Sequence, residues 1–215
     1  MPKETFFNLP DEKRDKILDV AMTEFERHGF DNTSINQIVA KAGISKGSFY
    51  QYFEDKKDLF KHILSLILER KMAYITPAMM NPLKHNFFTV IRDMNLSGLR
   101  FAKENPRFTA IGSWLLKDFK KPIYKEFITE NQGQAHDVYV MLLSNAIERG
   151  EVRADIDVDF TARMIFKLSS ELIIDEINLN TENWTDDVIG VLDKFMKLIE
   201  NAIANPNFKK SSGNM

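Results

Sequence analysis

The residues best equipped for chemistry lie between Ser45 and Tyr52, in the run Ser-Lys-Gly-Ser-Phe-Tyr-Gln-Tyr. Around one firmly apolar position, Phe49, this run carries hydroxyls at Ser45 and Ser48, an ammonium at Lys46 and an amide at Gln51. Tyr50 and Tyr52 add phenols, and Gly47 permits close approach. A helix this short is normally held in place by buried apolar surface, so a surface this polar points to an external partner. The groups suit a nucleic-acid duplex: the amide can pair with adenine, the lysine with guanine or phosphate, and tyrosine with phosphate or a thymine methyl.

The elements that must position this run can be read from its flanks. Ile35, Ile38, Val39 and Ala42 recur at three- and four-residue spacing, which predicts an amphipathic helix. Thr33 and Ser34 are both good N-caps, and Ser34 with Gln37 has capping-box spacing. Gly43 tolerates the positive φ of a sharp helix end, and Ser45 can cap a second helix to about Tyr52. Helix, glycine turn and polar second helix make a helix-turn-helix, whose second helix enters the major groove. Upstream, Pro10 opens a helix to about His28, with Ile17, Leu18, Ala21 and Phe25 buried and Gly29 as its stop. Residues 1–9 read as a loose arm with Lys3 in solvent. Downstream, Asp55 caps a helix from Lys56 to about Tyr74 with Leu59, Ile63, Leu64 and Ile67 on its apolar face. Lys56 and Lys57 stand at its N-terminus, where free N–H groups favour a phosphate.

The run from Phe30 through Thr33-Ser34-Ile35, Ile38-Val39, Ala42 to Tyr50 and Tyr52-Phe53 to Lys56-Lys57-Asp58-Leu59 resembles the N-terminal DNA-binding domain of TetR/AcrR-type repressors. The rest of the chain is similar to that family only in length and helical character. The expected DNA contacts are Thr33, Ser34, Ser45, Lys46, Gly47, Ser48, Tyr50, Gln51, Tyr52 and Lys56, the last as the phosphate contact that the resemblance implies. The resemblance further implies a homodimer on a palindromic operator, released by a small-molecule effector, with half-sites about 34 Å apart. The alternative is a TetR-like DNA binder for chromosome organisation or cell division, without an effector.

An all-α fold is predicted throughout, in three parts: a helix-turn-helix head over 1–54, an effector-binding and dimerisation domain over 55–205, and a disordered tail over 206–215. Past a break from Pro77 to Pro82, one helix runs from Phe87 to about Lys103, and Asn105-Pro106 starts another carrying Phe108, Ile111, Trp114 and Leu115. After Pro122, a long helix with Tyr124, Phe127, Asn131, Ala135, Val138, Leu142 and Ala146 ends at Gly150, and Gly133 can kink it. Asp157 and Thr185 cap the last two helices. The final one is apolar over much of its circumference, so Leu192, Phe195, Met196 and Ile199 are assigned to a dimer interface. The body is rich in aromatic and methionine side chains, Phe119 among them, which suit an ordinary helical core or an apolar or aromatic ligand; the resemblance implies an effector inside this bundle, with Phe101, Trp114 and Tyr139 as the candidate pocket residues.

Composition narrows the classes. The chain of 215 residues is 44% apolar and has no cysteine, which fits a reducing cytoplasm and leaves no thiolate chemistry. No apolar run approaches a membrane span, and the N-terminus lacks a signal-peptide pattern. No nucleotide, cofactor or metal motif is found, and none of the four histidines has a ligand-spaced partner, so no enzyme and no cofactor are expected. Glu171 and Asp175 lie one helical turn apart, with Lys167 a turn before them, as on a solvated face. The net charge of −2 is unusual for a DNA binder, although five lysines meet three acids between Lys41 and Lys61.

Overall fold

The computed structural model describes residues 2–117, 136–179 and 186–211, all-α apart from one isolated bridge between Val152 and Ala204 among those residues. The expected Phe119, Pro122, Tyr124, Phe127, Asn131, Gly133, Ala135 and the Thr185 cap lie outside them. The chain divides into two compact units, Met1–Ala73 with Asn105–Phe119, and Tyr74–Glu104 with Lys120–Met215.

The first unit holds α1 (Glu4–Phe7), α2 (Asp11–Asn32), α3 (Ile35–Ala42), α4 (Lys46–Tyr52), α5 (Lys56–Met72) and α8 (Pro106–Lys117). Ile17, Ala21 and Phe25 of α2, Ile38 of α3, Phe49 of α4, and Leu59 and Ile63 of α5 are fully buried, so each amphipathic stripe turns its apolar side to one core. Gly29, at φ 66, interrupts α2. Gly43, at φ 72, ends α3 in the left-handed region, a position that favours glycine. Ser45 Oγ accepts from Ser48 N–H at 2.9 Å and starts α4. Asp55 Oδ1 accepts from Asp58 N–H at 2.7 Å while Asp58 Oδ2 accepts from Glu54 N–H at 3.1 Å, a reciprocal cap on α5.

Two features of this unit differ from the sequence expectation. The first nine residues are no loose arm: Phe6 is fully buried, its ring 4.7 Å from Phe53 and 5.8 Å from His62. The paired aromatics Phe6 and Phe7 supply the apolar surface that anchors α1. The second is α8, which packs on α2 through Arg107. Its Nη1 meets Asp19 Oδ1 at 2.6 Å and its Nη2 donates to Thr23 Oγ1 at 2.6 Å and to the Asp19 carbonyl. The head unit therefore runs to Ala73 and takes in Asn105–Phe119, where a head of residues 1–54 was expected.

The second unit contains α6 (Pro77–Met80), a 3₁₀ turn (Pro82–Lys84), α7 (Phe87–Glu104), α9 (residues 136–148), α10 (Val158–Leu179), α11 (Asp186–Ile203) and α12 (Pro206–Ser211). α7 packs against α10 and α11 around Val90, Ile91, Leu143, Ala162 and Leu192. Asp157 Oδ1 accepts from Phe160 N–H at 3.0 Å, the expected cap of α10. Leu192, Phe195, Met196 and Ile199 belong to this core. Their spacing of three, four and seven residues makes the stripe that α11 turns inward, so they are not the surface first assigned to a partner chain. The tail also departs from expectation, because Pro206 at a first helical position and Asn205, whose Oδ1 accepts from Asn207 N–H at 3.0 Å, start α12.

Candidate nucleic-acid interface

The polar face of α4 is set by which residues the core takes. Phe49 and Tyr52 point inward, leaving Lys46, Gly47, Tyr50 and Gln51 exposed on the opposite side. Lys46 and Tyr50 line a shallow concavity of about 250 Å³ together with Thr33, Ser34, Ile35 and Asn36 from the start of α3, and Lys56 from the start of α5. The first N–H groups of a helix have no partners within it, and α3 begins in this wall. One ammonium from each of α4 and α5, a tyrosine, a serine and an amide thus converge where a helix presents its positive end. That set matches an anionic backbone beside a groove edge.

Not every expected contact belongs to it. Thr33 is buried, and its hydroxyl donates to the carbonyls of Gly29 at 2.6 Å and Glu24 at 3.1 Å, so it pins the α2–α3 turn from inside. Tyr52 is 6% exposed, with its ring 6.2 Å from Phe6, and serves the core. Ser45 is engaged as the cap, and its Oγ lies 2.9 Å from that of Ser48. A Cβ at Gly47 would meet only Ser45 Oγ at 3.6 Å, so nothing in the chain itself requires glycine there. Lys56 donates to the carbonyls of Thr33 at 2.8 Å and Asp31 at 3.1 Å, and stands 4.6 Å over the Phe30 ring. Burial lowers its pKa, with the Asp31 charge opposing. Two of its three donors thus fasten α5 to the α2–α3 turn. Asn36 was missed because it sits on the polar side of an amphipathic helix, where sequence pattern does not separate a contact from solvent.

The acidic balance of the head is resolved by pairing. Fully buried Glu24 meets Lys41 at 2.6 Å, Asp19 meets Arg107, and Asp11 meets Arg14 at 2.7 Å. Several of the acids that weaken the overall field are therefore neutralised on the α2 side.

The candidate effector residues separate. Phe101 and Tyr139 lie in the second unit, buried, with Phe101 edge-on to Tyr74 and Tyr139 edge-on to Phe166. Burial raises the Tyr139 pKa, opposed by a hydrogen bond with Ser169. Trp114 lies in the first unit, where its Nε1 donates to the Glu26 carbonyl at 3.0 Å. No described helix is long and apolar enough to cross a membrane.

Residues 17–63 match the family described as bacterial regulatory proteins, tetR family. A TetR family transcriptional regulator from Chloroflexus aurantiacus is 30% identical, with 95% of this chain and 99% of that one covered and a TM-score of 0.76. The probable acrEF/envCD operon repressor of Escherichia coli K12 is 24% identical over 82% of this chain and 78% of its own. In fold alone, the chain is also similar to the transcriptional regulator FadR of Bacillus subtilis in complex with stearoyl-CoA, at 18% identity, 86% and 96% coverage and a TM-score of 0.66.

Proposed function

Since the chain belongs to the tetR family of bacterial regulatory proteins, we propose that it is a homodimeric repressor that binds a palindromic operator and is released by a small molecule. The observation that carries the reading is the convergence of Lys46, Tyr50, Ser34, Asn36 and Lys56 on one concavity beside the outward face of α4. On a duplex, Tyr50, Gln51 and Lys46 reach base edges, while Ser34, Asn36 and the α3 N-terminus hold the backbone. Phe160, Met164 and Leu168 recur every fourth residue on α10 and are exposed, as is Leu198 on α11. That stripe, in place of the buried residues of α11, is the surface we assign to the partner chain.

The effector belongs to the second unit, among Phe101, Tyr139 and Phe166, and its class is apolar or aromatic. Trp114 stays with the head. FadR, with its bound stearoyl-CoA, supports a body of this fold accepting a ligand that carries a long acyl chain. The ligand acts only through a difference in affinity between DNA-competent and incompetent conformations. Sedimentation velocity followed by fluorescence anisotropy on a labelled duplex, screened against apolar and aromatic small molecules, tests the reading. Two chains per particle, retention of one sequence and release by one ligand class support it. A monomer, or a duplex that no ligand releases, contradicts the corresponding part.

A further inference from the structure

The C-terminal end of α4 has a feature that the recognition reading does not use. A helix leaves its last four carbonyls without partners, and those of α4 belong to Phe49, Tyr50, Gln51 and Tyr52. Phe49 O accepts from Phe53 N–H at 2.8 Å. The other three are taken by the N-terminal arm: Lys3 Nζ donates to Tyr50 O at 2.8 Å, Thr5 Oγ1 donates to Gln51 O, and Lys3 N–H donates to Tyr52 O at 2.8 Å. The arm is itself anchored by fully buried Phe6 against Phe53 and His62.

We propose that Lys3 and Thr5 are positioning residues for sequence recognition, with the arm capping the recognition helix and fixing the pose of Tyr50 and Gln51. The two residues whose carbonyls receive the Lys3 ammonium and the Thr5 hydroxyl are the ones whose side chains stand outward from the last turn of α4. With seven residues, α4 has few internal hydrogen bonds, and its last turn frays unless its carbonyls are satisfied from outside. The ammonium of Lys3 also lies at the negative end of the α4 dipole, where a cation is favoured. A frayed last turn lets Tyr50 and Gln51 sample several orientations. Base-edge hydrogen bonds then lose their alignment, while the phosphate contacts made by Ser34, Asn36 and the α3 N-terminus persist.

The proposal rests on α4 being the DNA-reading helix, and the test separates the two ideas. Thr5→Val, Lys3→Met and Lys3→Arg are compared with the wild-type chain for binding to the duplex that the wild type selects and to a scrambled duplex, across a salt series. Thr5→Val and Lys3→Met each lower affinity for the selected duplex by about five- to tenfold, as expected for a lost cap, and leave the scrambled duplex unchanged. Lys3→Arg keeps the wild-type ratio. Thr5 carries no charge and gives its hydroxyl proton to Gln51 O, so Thr5→Val leaves the salt dependence of binding unchanged. A Thr5→Val ratio equal to wild type overturns the proposal. Equal weakening of both duplexes by Lys3→Met, with a shallower salt dependence, also overturns it by making Lys3 a plain phosphate contact. If the wild type prefers no sequence, the recognition reading fails and takes this proposal with it; wild-type preference with unaltered variants removes the arm alone.

Discussion

Thr33→Val separates a structural hydroxyl from a DNA contact. The substitution preserves side-chain volume and removes only the proton donor. That donor is shared between Gly29 O at 2.6 Å and Glu24 O at 3.1 Å, and a hydroxyl has one proton, so one full hydrogen bond is at stake, weighted toward Gly29. Gly29 interrupts the regular helix at φ 66, so its carbonyl depends on a partner from outside the α2 ladder. Leaving such a buried acceptor short costs about 1–3 kcal/mol. The methyl group that replaces the hydroxyl returns roughly 0.8 kcal/mol of apolar burial, so the net loss is about 0.2–2 kcal/mol. In urea unfolding followed by far-ultraviolet circular dichroism, the midpoint falls by about 0.5 M with the slope unchanged. Ser34→Ala is the control: Ser34 makes no side-chain cap bond, so stability stays within about 0.5 kcal/mol of wild type while duplex affinity falls. A Thr33→Val protein with wild-type stability and weakened DNA binding would refute this reasoning and return Thr33 to the interface.

Tyr50→Ala lowers affinity for the selected duplex by about tenfold, the value of one good contact, with no change in oligomeric mass; unaltered anisotropy would remove Tyr50 from the interface. Arg107→Ala loses the ion pair with Asp19 and the bond to Thr23, and the head unit loses about 1 kcal/mol of urea stability, screening at exposed Asp19 keeping the effect modest. Arg107→Lys fails to restore it because an ammonium cannot reproduce the fork; full rescue would contradict this geometry. Burial is the main cause lowering the His62 pKa, with Asp58 and Glu69 raising it and the N-terminal amine lowering it. The sign follows: above about pH 6.5 both folded and unfolded chains hold it neutral, and below that the unfolded chain binds the proton first, so stability falls with acid. His62→Leu flattens that decline in pH-dependent urea midpoints, and an unchanged slope would show that His62 is not its source. Leu168→Asp with Phe160→Asp places charge on the exposed α10 stripe and shifts sedimentation toward monomer at micromolar concentration, whereas Leu192→Asp unfolds the second unit.

Much of the head was legible because local chemistry decides it. Gly43, the Ser45 cap and the Asp55 cap act within four residues of themselves, and the apolar spacing of Ile35, Ile38 and Val39 has one interpretation. What was not legible depends on long-range packing. Thr33 and Ser34 are equivalent as N-caps until the break at Gly29 turns one of them inward. Tyr52 carries both an aromatic body and a polar tip, and only the buried Phe6 across from it decides which one the fold uses. Arg107 follows Asn105-Pro106 with no local signal, because its partners Asp19 and Thr23 lie on another helix. The interface error has the same origin. Leu192, Phe195, Met196 and Ile199 form the same kind of stripe as Phe160, Met164 and Leu168, and periodicity marks a face without saying whether its cover comes from the same chain.

The central claim is that the outward face of α4 reads DNA sequence as one half of a symmetric pair. Selection of bound duplexes from a random pool by the purified protein at near-physiological salt tests it most directly. The account predicts recovery of a palindrome with half-sites spaced by about one helical turn or a short multiple of it. Recovery of no preferred sequence from folded, dimeric protein would contradict it.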